Sequence, residues 1–229
     1  MKSILFLHGA LNSAAQFDAL KPNLAASYDV HTLNFSGHGG NFMPIGGLSF
    51  DIFVNDILNY LNANKLDKIN LFGYSMGGYA ALLFALKYPE KVDKIFTCST
   101  KLKWDLKSAT KETEFLNPEK MLEKVPAFAN NLMVLHGMNV WKNLLNSTSD
   151  MLMDLAKGKL ILDEDFAKIS ATVMLAVGDK DKTANYIDTV DVFKLIPNSQ
   201  LAILPNTPHE FNKINERFLL ALIFEFFGN

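Results

Sequence analysis

The chain has 229 residues, of which 49% are hydrophobic and 20% are charged, and its formal net charge at pH 7 is −2. This length suits one α/β domain with a single sizeable core, and the composition is that of an ordinary globular protein without repeats or low-complexity segments. Acidic and basic residues are interspersed, and no basic stripe would neutralise phosphates, so nucleic acid is not an expected partner.

The cysteine usage and the N-terminus bear on the compartment. Cys98 is the only cysteine, so no intrachain disulfide can form, and no Cys/His cluster has the spacing of a zinc site. A reducing compartment fits, and we expect a cytoplasmic protein. Lys2 and the apolar residues 4–7 superficially resemble a signal peptide, but the run is short and ends at His8-Gly9, so we assign it to the fold. No stretch approaches the ~20 apolar residues of a membrane span, and we expect no membrane partner.

Short apolar runs rich in β-forming residues alternate along the chain with longer helical patterns. This alternation predicts βα units and a mostly parallel, six-stranded sheet that is buried on both faces and flanked by helices. The predicted strands are residues 3–7, 30–34, 68–73, 94–99, 172–177 and 200–204. The predicted helices are residues 50–64, residues 76–88, and an amphipathic C-terminal segment over residues 210–227.

The regular alternation lapses between about residues 101 and 169. We therefore expect one domain, residues 1–229, with a helical insert at about 101–169 that forms a cap or lid. The insert is rich in tryptophan and methionine, a composition suited to an adaptable apolar surface. These residues are Trp104, Met121, Met133, Met138, Trp141, Met151 and Met153. The insert reads as a small packed subdomain or as a lid over a pocket, and these two interpretations are compatible. We expect it to help line the substrate site.

Residues 73–77 form a Gly-x-Ser-x-Gly motif, which by itself occurs by chance in many sequences. Here a predicted strand runs directly into Ser75, and a predicted helix begins at Met76. A nucleophile on such a sharp turn needs small neighbours, because a side chain at Gly73 or Gly77 would collide with the adjoining elements. The turn exposes the Ser75 hydroxyl near a helix N-terminus, which favours developing negative charge. The alternative is a glycine-rich turn with an incidental serine.

With this context the chain resembles the α/β-hydrolase fold family, specifically its serine hydrolases and esterases, over nearly its whole length outside the insert. The resemblance implies an α/β-hydrolase fold with Ser75 as nucleophile and a histidine base that comes last in chain order. His209 fits, because it follows the last predicted strand, at the rim where α/β sheets bind ligands. The alternative for His209 is a surface loop histidine.

The acid of such a site should follow the penultimate strand, where two aspartates, Asp179 and Asp181, compete. Family members typically show a Gly-x-x-Asp arrangement after this strand, which favours Asp181. Its task would be to fix the His209 tautomer and stabilise the imidazolium. Asp179 would then be an exposed turn residue or a support.

An oxyanion hole needs backbone N–H donors aimed at the oxygen where charge accumulates. One candidate is the N–H of Met76, directly after the nucleophile. The resemblance implies that the other comes from the loop after the first strand, from Ala10 or Leu11. By the same resemblance, His8 braces this loop and is not a second base.

Residues 34–40 resemble the family's Asp-x-x-Gly-His-Gly loop, with Asn34 in place of the usual aspartate. The substitution removes a charge that normally contacts neighbouring backbone, so it bears on stability before mechanism. His31 and His136 have no motif around them. Cys98 lies on a predicted buried strand, which is more typical of a small core residue than of a second nucleophile.

These residues predict a serine hydrolase that cleaves a small to medium carboxylic ester or thioester through an acyl-enzyme on Ser75. An apolar acyl group is expected from the Phe- and Met-rich insert. The implied partner is a small-molecule acyl substrate, no metal or organic cofactor is implied, and the oligomeric state stays open. A C–C bond hydrolase of diketone ring-fission products is one alternative, and a non-catalytic ligand-binding receptor is another. A haloalkane dehalogenase is disfavoured, because it needs aspartate in place of Ser75.

Overall fold

The protein is built around a single parallel sheet. A computed structural model describes residues 1–158 and 161–228. Within these residues a six-stranded sheet has the order β2-β1-β3-β4-β5-β6, and every neighbouring pair is parallel. The strands are β1 (Lys2–Leu7), β2 (Tyr28–Leu33), β3 (Ile69–Tyr74), β4 (Val92–Cys98), β5 (Thr172–Gly178) and β6 (Ser199–Leu204). The predicted sheet is confirmed, and each predicted strand overlaps an observed one.

Helices cover the sheet and fill the connections between its strands. They are α1 (Lys21–Leu24), α2 (Phe50–Ala63), α3 (Met76–Lys87), α4 (Leu106–Thr113), α5 (Pro118–Lys124), α6 (Pro126–His136), α7 (Trp141–Ala156), α8 (Asp163–Phe166), α9 (Tyr186–Leu195) and α10 (Glu216–Phe227). Residues 159–160 of the predicted insert, and residue 229 of the predicted domain, lie outside the described residues. Among the helices described, none combines the length and the apolar character that crossing a membrane requires.

The central strands are apolar on both sides because each face of the sheet carries a hydrophobic core. Successive side chains of a strand point to opposite faces. Leu5 and Leu71 therefore pack in the cluster that includes α2 and α3, while Phe6 and Phe72 pack in the cluster that includes α10. This burial on both faces explains why these strands read as continuous apolar runs.

The prediction of a terminal helix over residues 210–227 is wrong at its N-terminal end. The helix begins at Glu216, because the Asn215 side chain accepts the first free backbone N–H groups, a capping role that asparagine favours. A short 3-10 turn, Phe211–Lys213, precedes it. His209 therefore lies on a separate loop between β6 and this helix.

Helices α4 to α7 lie between β4 and β5, in the stretch where the alternation of strands and helices lapses. Helices α5 to α7 share a hydrophobic cluster of their own, formed by Met121, Ala129, Leu132, Trp141 and Leu145. The longest of them, α7, also packs into the main core through Leu144, Met151 and Leu155. The apolar residues of α7 therefore join this helical segment to the sheet.

Candidate active site

Ser75 lies on a strained turn between β3 and α3. Its φ of 51° and ψ of −116° fall where residues with a side chain are rarely found. A Cβ added to Gly73 would overlap the backbone of Gly78, and one added to Gly77 would overlap the carbonyl of Leu7. The prediction that this turn needs both glycines for steric reasons is confirmed.

Cys98 contributes its backbone to this turn. Its carbonyl oxygen accepts a hydrogen bond from the N–H of Ser75 at 2.8 Å. The thiol is fully buried in the core, and burial raises its pKa to about 12, so it stays protonated at neutral pH. The prediction of a core residue is confirmed.

His209 faces Ser75 from the loop after β6. Its Nε2 lies 3.3 Å from the Ser75 Oγ, and its Nδ1 lies 2.8 Å and 3.0 Å from the two carboxylate oxygens of Asp181. In the neutral ring, Nδ1–H donates to the carboxylate, which leaves Nε2 to accept from the hydroxyl. The structure thus brings together the three side chains that the sequence named as nucleophile, base and acid.

Asp181 is held rigidly beneath the imidazole. Its side chain is fully buried. Its Oδ1 also accepts the backbone N–H groups of Thr183 at 2.9 Å and Ala184 at 2.7 Å. Because these donors stabilise a carboxylate and fix its plane, the acid presents a preset acceptor to His209.

Asp179, the competing aspartate, bonds the backbone of the loop after β6, whereas the imidazole bonds Asp181. Asp179 is exposed, and hydrogen bonds from the backbone of Asn206 and Thr207 hold the pKa of its carboxyl below the usual range. The bond from the Thr207 N–H is 3.0 Å long. A Cβ at Gly178 would overlap the Thr207 carbonyl, so the loops after β5 and β6 are in close contact. Asp179 therefore supports the loop that carries His209.

A cavity of about 620 Å³ opens over Ser75 and His209. Ligand sites commonly enclose roughly 300 to 1,000 Å³, so this space suits a ligand of small to medium size. Much of its wall is aromatic or aliphatic, from residues that include Phe50, Trp104, Leu116, Phe128, Leu152 and Phe211.

The helical segment between β4 and β5 contributes several of these wall residues, as the sequence led us to expect. The methionines do not contribute, however. Within the described residues, none of the five methionines of the insert lines the cavity. Met121 and Met151 are buried in hydrophobic clusters, while Met138 is 76% exposed. The apolar part of the wall that the insert supplies comes from aromatic and leucine side chains.

Two of the residues predicted to supply oxyanion donors, Met76 and Ala10, line this cavity. Met76 begins α3, so its N–H has no acceptor one turn earlier. Ala10 and Leu11 occupy the centre of a turn that is closed by the Asn12 N–H on the Gly9 carbonyl at 3.2 Å. In the described part of the chain, no group accepts a hydrogen bond from the N–H of Met76, Ala10 or Leu11. These donors are therefore available to a ligand oxygen.

His8 holds the start of this loop. Its Nδ1 donates to the Gly9 carbonyl at 2.9 Å, and its Nε2 accepts the Phe35 N–H at 3.1 Å. The ring is fully buried, and burial lowers its pKa to about 4, so it is neutral at pH 7. Both ring nitrogens are engaged with backbone, which leaves neither for proton transfer. This geometry is that of a brace.

Asn34 links the loop after β1 to the loop after β2. Its Oδ1 accepts the Ala14 N–H at 2.7 Å, and its Nδ2 donates to the Gly39 carbonyl at 3.2 Å. The sequence suggested that replacing an aspartate here removes a charged contact to backbone. The charge is absent, but the backbone contact is kept, and the amide adds a donor that a carboxylate lacks.

Sequence reasoning missed two residues that steady the site. The Tyr74 hydroxyl donates to the carbonyl of His209 at 2.6 Å, and the Gln16 Oε1 accepts the Gly9 N–H at 3.0 Å. Tyr74 occupies a variable position of the serine motif, and its contact spans 135 residues of chain. No local pattern distinguishes it, although its place beside the nucleophile is a reason to inspect it.

The fold and the site together define a class: a parallel α/β sheet with a serine on the turn after β3 and a histidine after the last strand. A model of the alpha/beta hydrolase fold family matches residues 2–138 of the chain. The protein belongs to this family, and the resemblance found in the sequence is confirmed.

One curated relative is serine hydrolase-like protein 2 of Homo sapiens, 28% identical over 177 residues. The match covers 75% of this chain but 55% of the relative, so the chain spans about half of that protein's length.

Two solved structures share the fold along nearly the whole chain. One is a thermophilic esterase from Thermogutta terrifontis, with a TM-score of 0.78 at 19% identity, covering 99% of this chain and 89% of that one. The other is 2-hydroxy-6-oxo-6-phenylhexa-2,4-dienoate hydrolase from Rhodococcus sp. strain RHA1, with a TM-score of 0.79 at 18% identity, covering 99% and 90%. At these identities the likeness concerns the fold alone.

Proposed function

We propose that this protein is a serine hydrolase that cleaves a small to medium carboxylic ester or thioester through an acyl-enzyme on Ser75. The observation that carries the proposal is the hydrogen-bonded series from Asp181 through His209 to Ser75 beneath an apolar cavity. A serine hydroxyl is a weak nucleophile, and a base that is itself oriented by a third group activates it.

In the first half of the reaction, the Ser75 Oγ attacks the acyl carbonyl carbon and its proton passes to the His209 Nε2. The carbonyl oxygen becomes negative, and the N–H groups of Met76 and of Ala10 or Leu11 donate to it. When the tetrahedral intermediate collapses, the alcohol or thiol leaves with the proton from His209. Asp181 stabilises the imidazolium in between.

In the second half, water takes the place of the leaving group. His209 removes a proton from this water as its oxygen attacks the acyl carbon of the ester on Ser75. Collapse of the second tetrahedral intermediate releases the carboxylic acid and returns the proton to the Ser75 Oγ. The two halves balance without a further co-reactant.

The cavity supports the choice of substrate. Its volume accommodates an acyl chain together with a leaving group, and its aromatic and aliphatic wall favours an apolar acyl group. The wall also contains Lys101, whose ammonium lies 3.4 Å from the Glu112 carboxylate and 4.4 Å from the centre of the Trp104 ring. Because the Lys101 charge is paired with Glu112 and Trp104 within the protein, it does not require an anionic substrate, and an uncharged ester fits the cavity well.

A panel of substrates tests the proposal. We expect turnover of p-nitrophenyl acetate or butyrate, or of the matching thioesters, by the wild-type protein. We expect Ser75→Ala and His209→Ala to lose on the order of 10⁴-fold or more in kcat. Ser3→Ala is the matched control, because this serine lies at the far end of the sheet on β1 and bonds Asp29.

The panel also separates the alternatives. Cleavage of a vinylogous diketone without ester turnover would assign the protein to C–C bond hydrolysis. Well-folded protein that binds these compounds but turns over none would instead be a ligand-binding receptor.

A further inference from the structure

His136 connects the helical insert to the loop after β1. It ends α6 and is 2% exposed. Its Nδ1 accepts the Gly39 N–H at 3.0 Å, and its Nε2 lies 3.2 Å from the carbonyl oxygen of Leu11. A nitrogen that accepts a hydrogen bond carries no proton, so in the neutral ring Nε2 carries it and donates to Leu11.

Leu11 belongs to the turn at residues 9–12, which we call the oxyanion loop. Its φ is 57°, and it occupies the third position of the turn, where a positive φ is characteristic of type II turns and favours glycine. A leucine adopts this conformation at a cost in free energy. The conformation therefore depends on contacts that hold Leu11 in place.

Some of those contacts come from the main core, against which Leu11 also packs, and the others come from the insert. The Leu11 side chain packs against the hydrophobic cluster of α5 to α7, and its carbonyl receives the His136 hydrogen bond. The sheet domain anchors the same chain segment elsewhere, through Gln16 at the Gly9 N–H and through Asn34 at the Ala14 N–H. Leu11 is thus the residue of the oxyanion loop that the insert both packs against and hydrogen-bonds.

We infer that His136 is a positioning residue for the acyl-transfer reaction, an inference that rests on the proposed function. By fixing the Leu11 carbonyl, it sets the orientation of the peptides on either side of this strained residue. The N–H of Ala10 or Leu11 then points toward the reacting carbonyl. The position of the insert on the sheet is therefore coupled to the geometry of the oxyanion hole.

His136 is not a metal ligand in this arrangement. It lies beside two other buried histidines, with ring centroids 5.7 Å apart between His136 and His38, and 5.0 Å apart between His38 and His8. Within the described residues, however, no group of His, Cys, Asp and Glu side chains is arranged to hold a metal ion. Its bonds to the Leu11 carbonyl and the Gly39 N–H account for both of its ring nitrogens.

Three substitutions separate the two hydrogen bonds of His136. His136→Phe keeps an aromatic ring and removes both bonds. His136→Gln can place an amide N–H near the position of Nε2 and so restore the donor to Leu11. His136→Asn can reach only the position of Nδ1, where it meets Gly39.

The readouts are kcat and KM for p-nitrophenyl acetate and the affinity for a boronic acid, whose tetrahedral adduct on Ser75 places an oxygen in the oxyanion hole. Losing one oxyanion donor costs about 10²- to 10³-fold in kcat, and misplacing one costs part of that. We expect His136→Phe to lower kcat about 10- to 100-fold, to change KM by less than about threefold, and to weaken boronic acid binding in parallel. His136→Gln should recover most of the loss, and His136→Asn should not.

Leu144→Ala is the control for a general loosening of the insert, because Leu144 packs on α7 in the main core and its side chain takes no part in the hydrogen bonds of His136. Each variant is assayed at the same interval below its own Tm, so that differences in stability do not enter the comparison of kcat. The inference is wrong if His136→Phe keeps the wild-type kcat, if Leu144→Ala lowers kcat equally, or if Asn restores as well as Gln. If His136→Phe does not fold, the comparison of Gln with Asn decides the same question. A wild-type protein that turns over no ester instead overturns the proposed function itself.

Discussion

The phenol oxygen of Tyr74 lies 2.6 Å from the carbonyl oxygen of His209, so the residue just before the nucleophile holds the loop that carries the base. The Tyr74 ring also packs edge-on against Phe211, with ring centroids 5.0 Å apart. Burial raises the pKa of the phenol, which keeps its proton available for this hydrogen bond. The end of β3 and the loop after β6 are therefore joined by both a hydrogen bond and a ring contact.

Tyr74→Phe should lower kcat about 3- to 10-fold, because a neutral hydrogen bond contributes about 1 kcal/mol and the base loop loses one of its anchors. The ring packing is preserved, so KM should change little. Tyr60→Phe is the matched control, since its hydroxyl bonds His31 on β2 at 3.0 Å, away from the cavity. An unchanged kcat in Tyr74→Phe would show that the base loop does not depend on this bond.

Asp181→Asn and Asp179→Asn should differ sharply in kcat. An asparagine at 181 can present its amide to His209 in the wrong sense and stabilise the wrong tautomer, a change that can cost on the order of 10⁴-fold. Asp179→Asn removes a surface charge but keeps an amide oxygen that can accept the Thr207 N–H, so its effect should stay within about 10-fold. Steady-state kinetics on one ester settles the assignment, which is reversed if only Asp179→Asn loses activity.

The neighbouring buried histidines His8, His38 and His136 should make the fold sensitive to acid. Burial lowers the pKa of all three, to about 4 for His8. The unfolded chain takes up these protons near pH 6.5 and the native state resists them, so stability is complete above that pH and falls toward pH 4. At about 1.4 kcal/mol per pH unit, His8 alone would remove about 3 kcal/mol across this window.

Urea unfolding between pH 7.5 and 4.5 measures this loss. His38→Phe keeps a ring of similar volume but cannot titrate, so its free energy of unfolding should fall less steeply with acid. His31 lies on β2, outside this cluster of histidines. The free energy of unfolding of His31→Gln should therefore depend on pH as it does in the wild-type protein. A free energy of unfolding that stays constant from pH 7 to pH 5 would contradict the assignment of neutral buried rings.

Gly77→Ala should be far more damaging than Gly40→Ala. A Cβ at Gly77 would overlap the Leu7 carbonyl, so α3 and β1 would have to separate, at a cost of about 3 kcal/mol or more. A Cβ at Gly40 would meet open space, so Gly40→Ala should cost only the strain of an alanine at a φ of +87°, about 1–2 kcal/mol. Urea titration of both variants checks the difference, and equal destabilisation would show that the turn at Ser75 is less tightly packed than described.

The parts of the site that sequence could predict are those whose chemistry is local. Gly73 and Gly77 flank Ser75 because backbone passes within contact distance, and this requirement is visible in five residues. Asp181 is favoured by the Gly-x-x-Asp arrangement that the family resemblance implies after this strand, and its carboxylate lies against backbone donors and His209.

The parts that sequence could not predict depend on contacts between distant segments. The bond between Tyr74 and His209 spans 135 residues, and the bond between Leu11 and His136 spans 125. Neither leaves a periodicity or a motif. The start of α10 was misplaced for a related reason: Phe211 has helical spacing with later apolar residues, but its ring packs against Phe17 and Tyr74 instead.

The most direct test of the account is labelling with a fluorophosphonate, which reacts with a serine activated by a neighbouring base. We expect the wild-type protein to be labelled at Ser75, as located by peptide mass spectrometry, and Ser75→Ala and His209→Ala to show no labelling above background. Well-folded wild-type protein that stays unlabelled, or that is labelled at a serine other than Ser75, would contradict the proposal that Ser75 is an activated nucleophile.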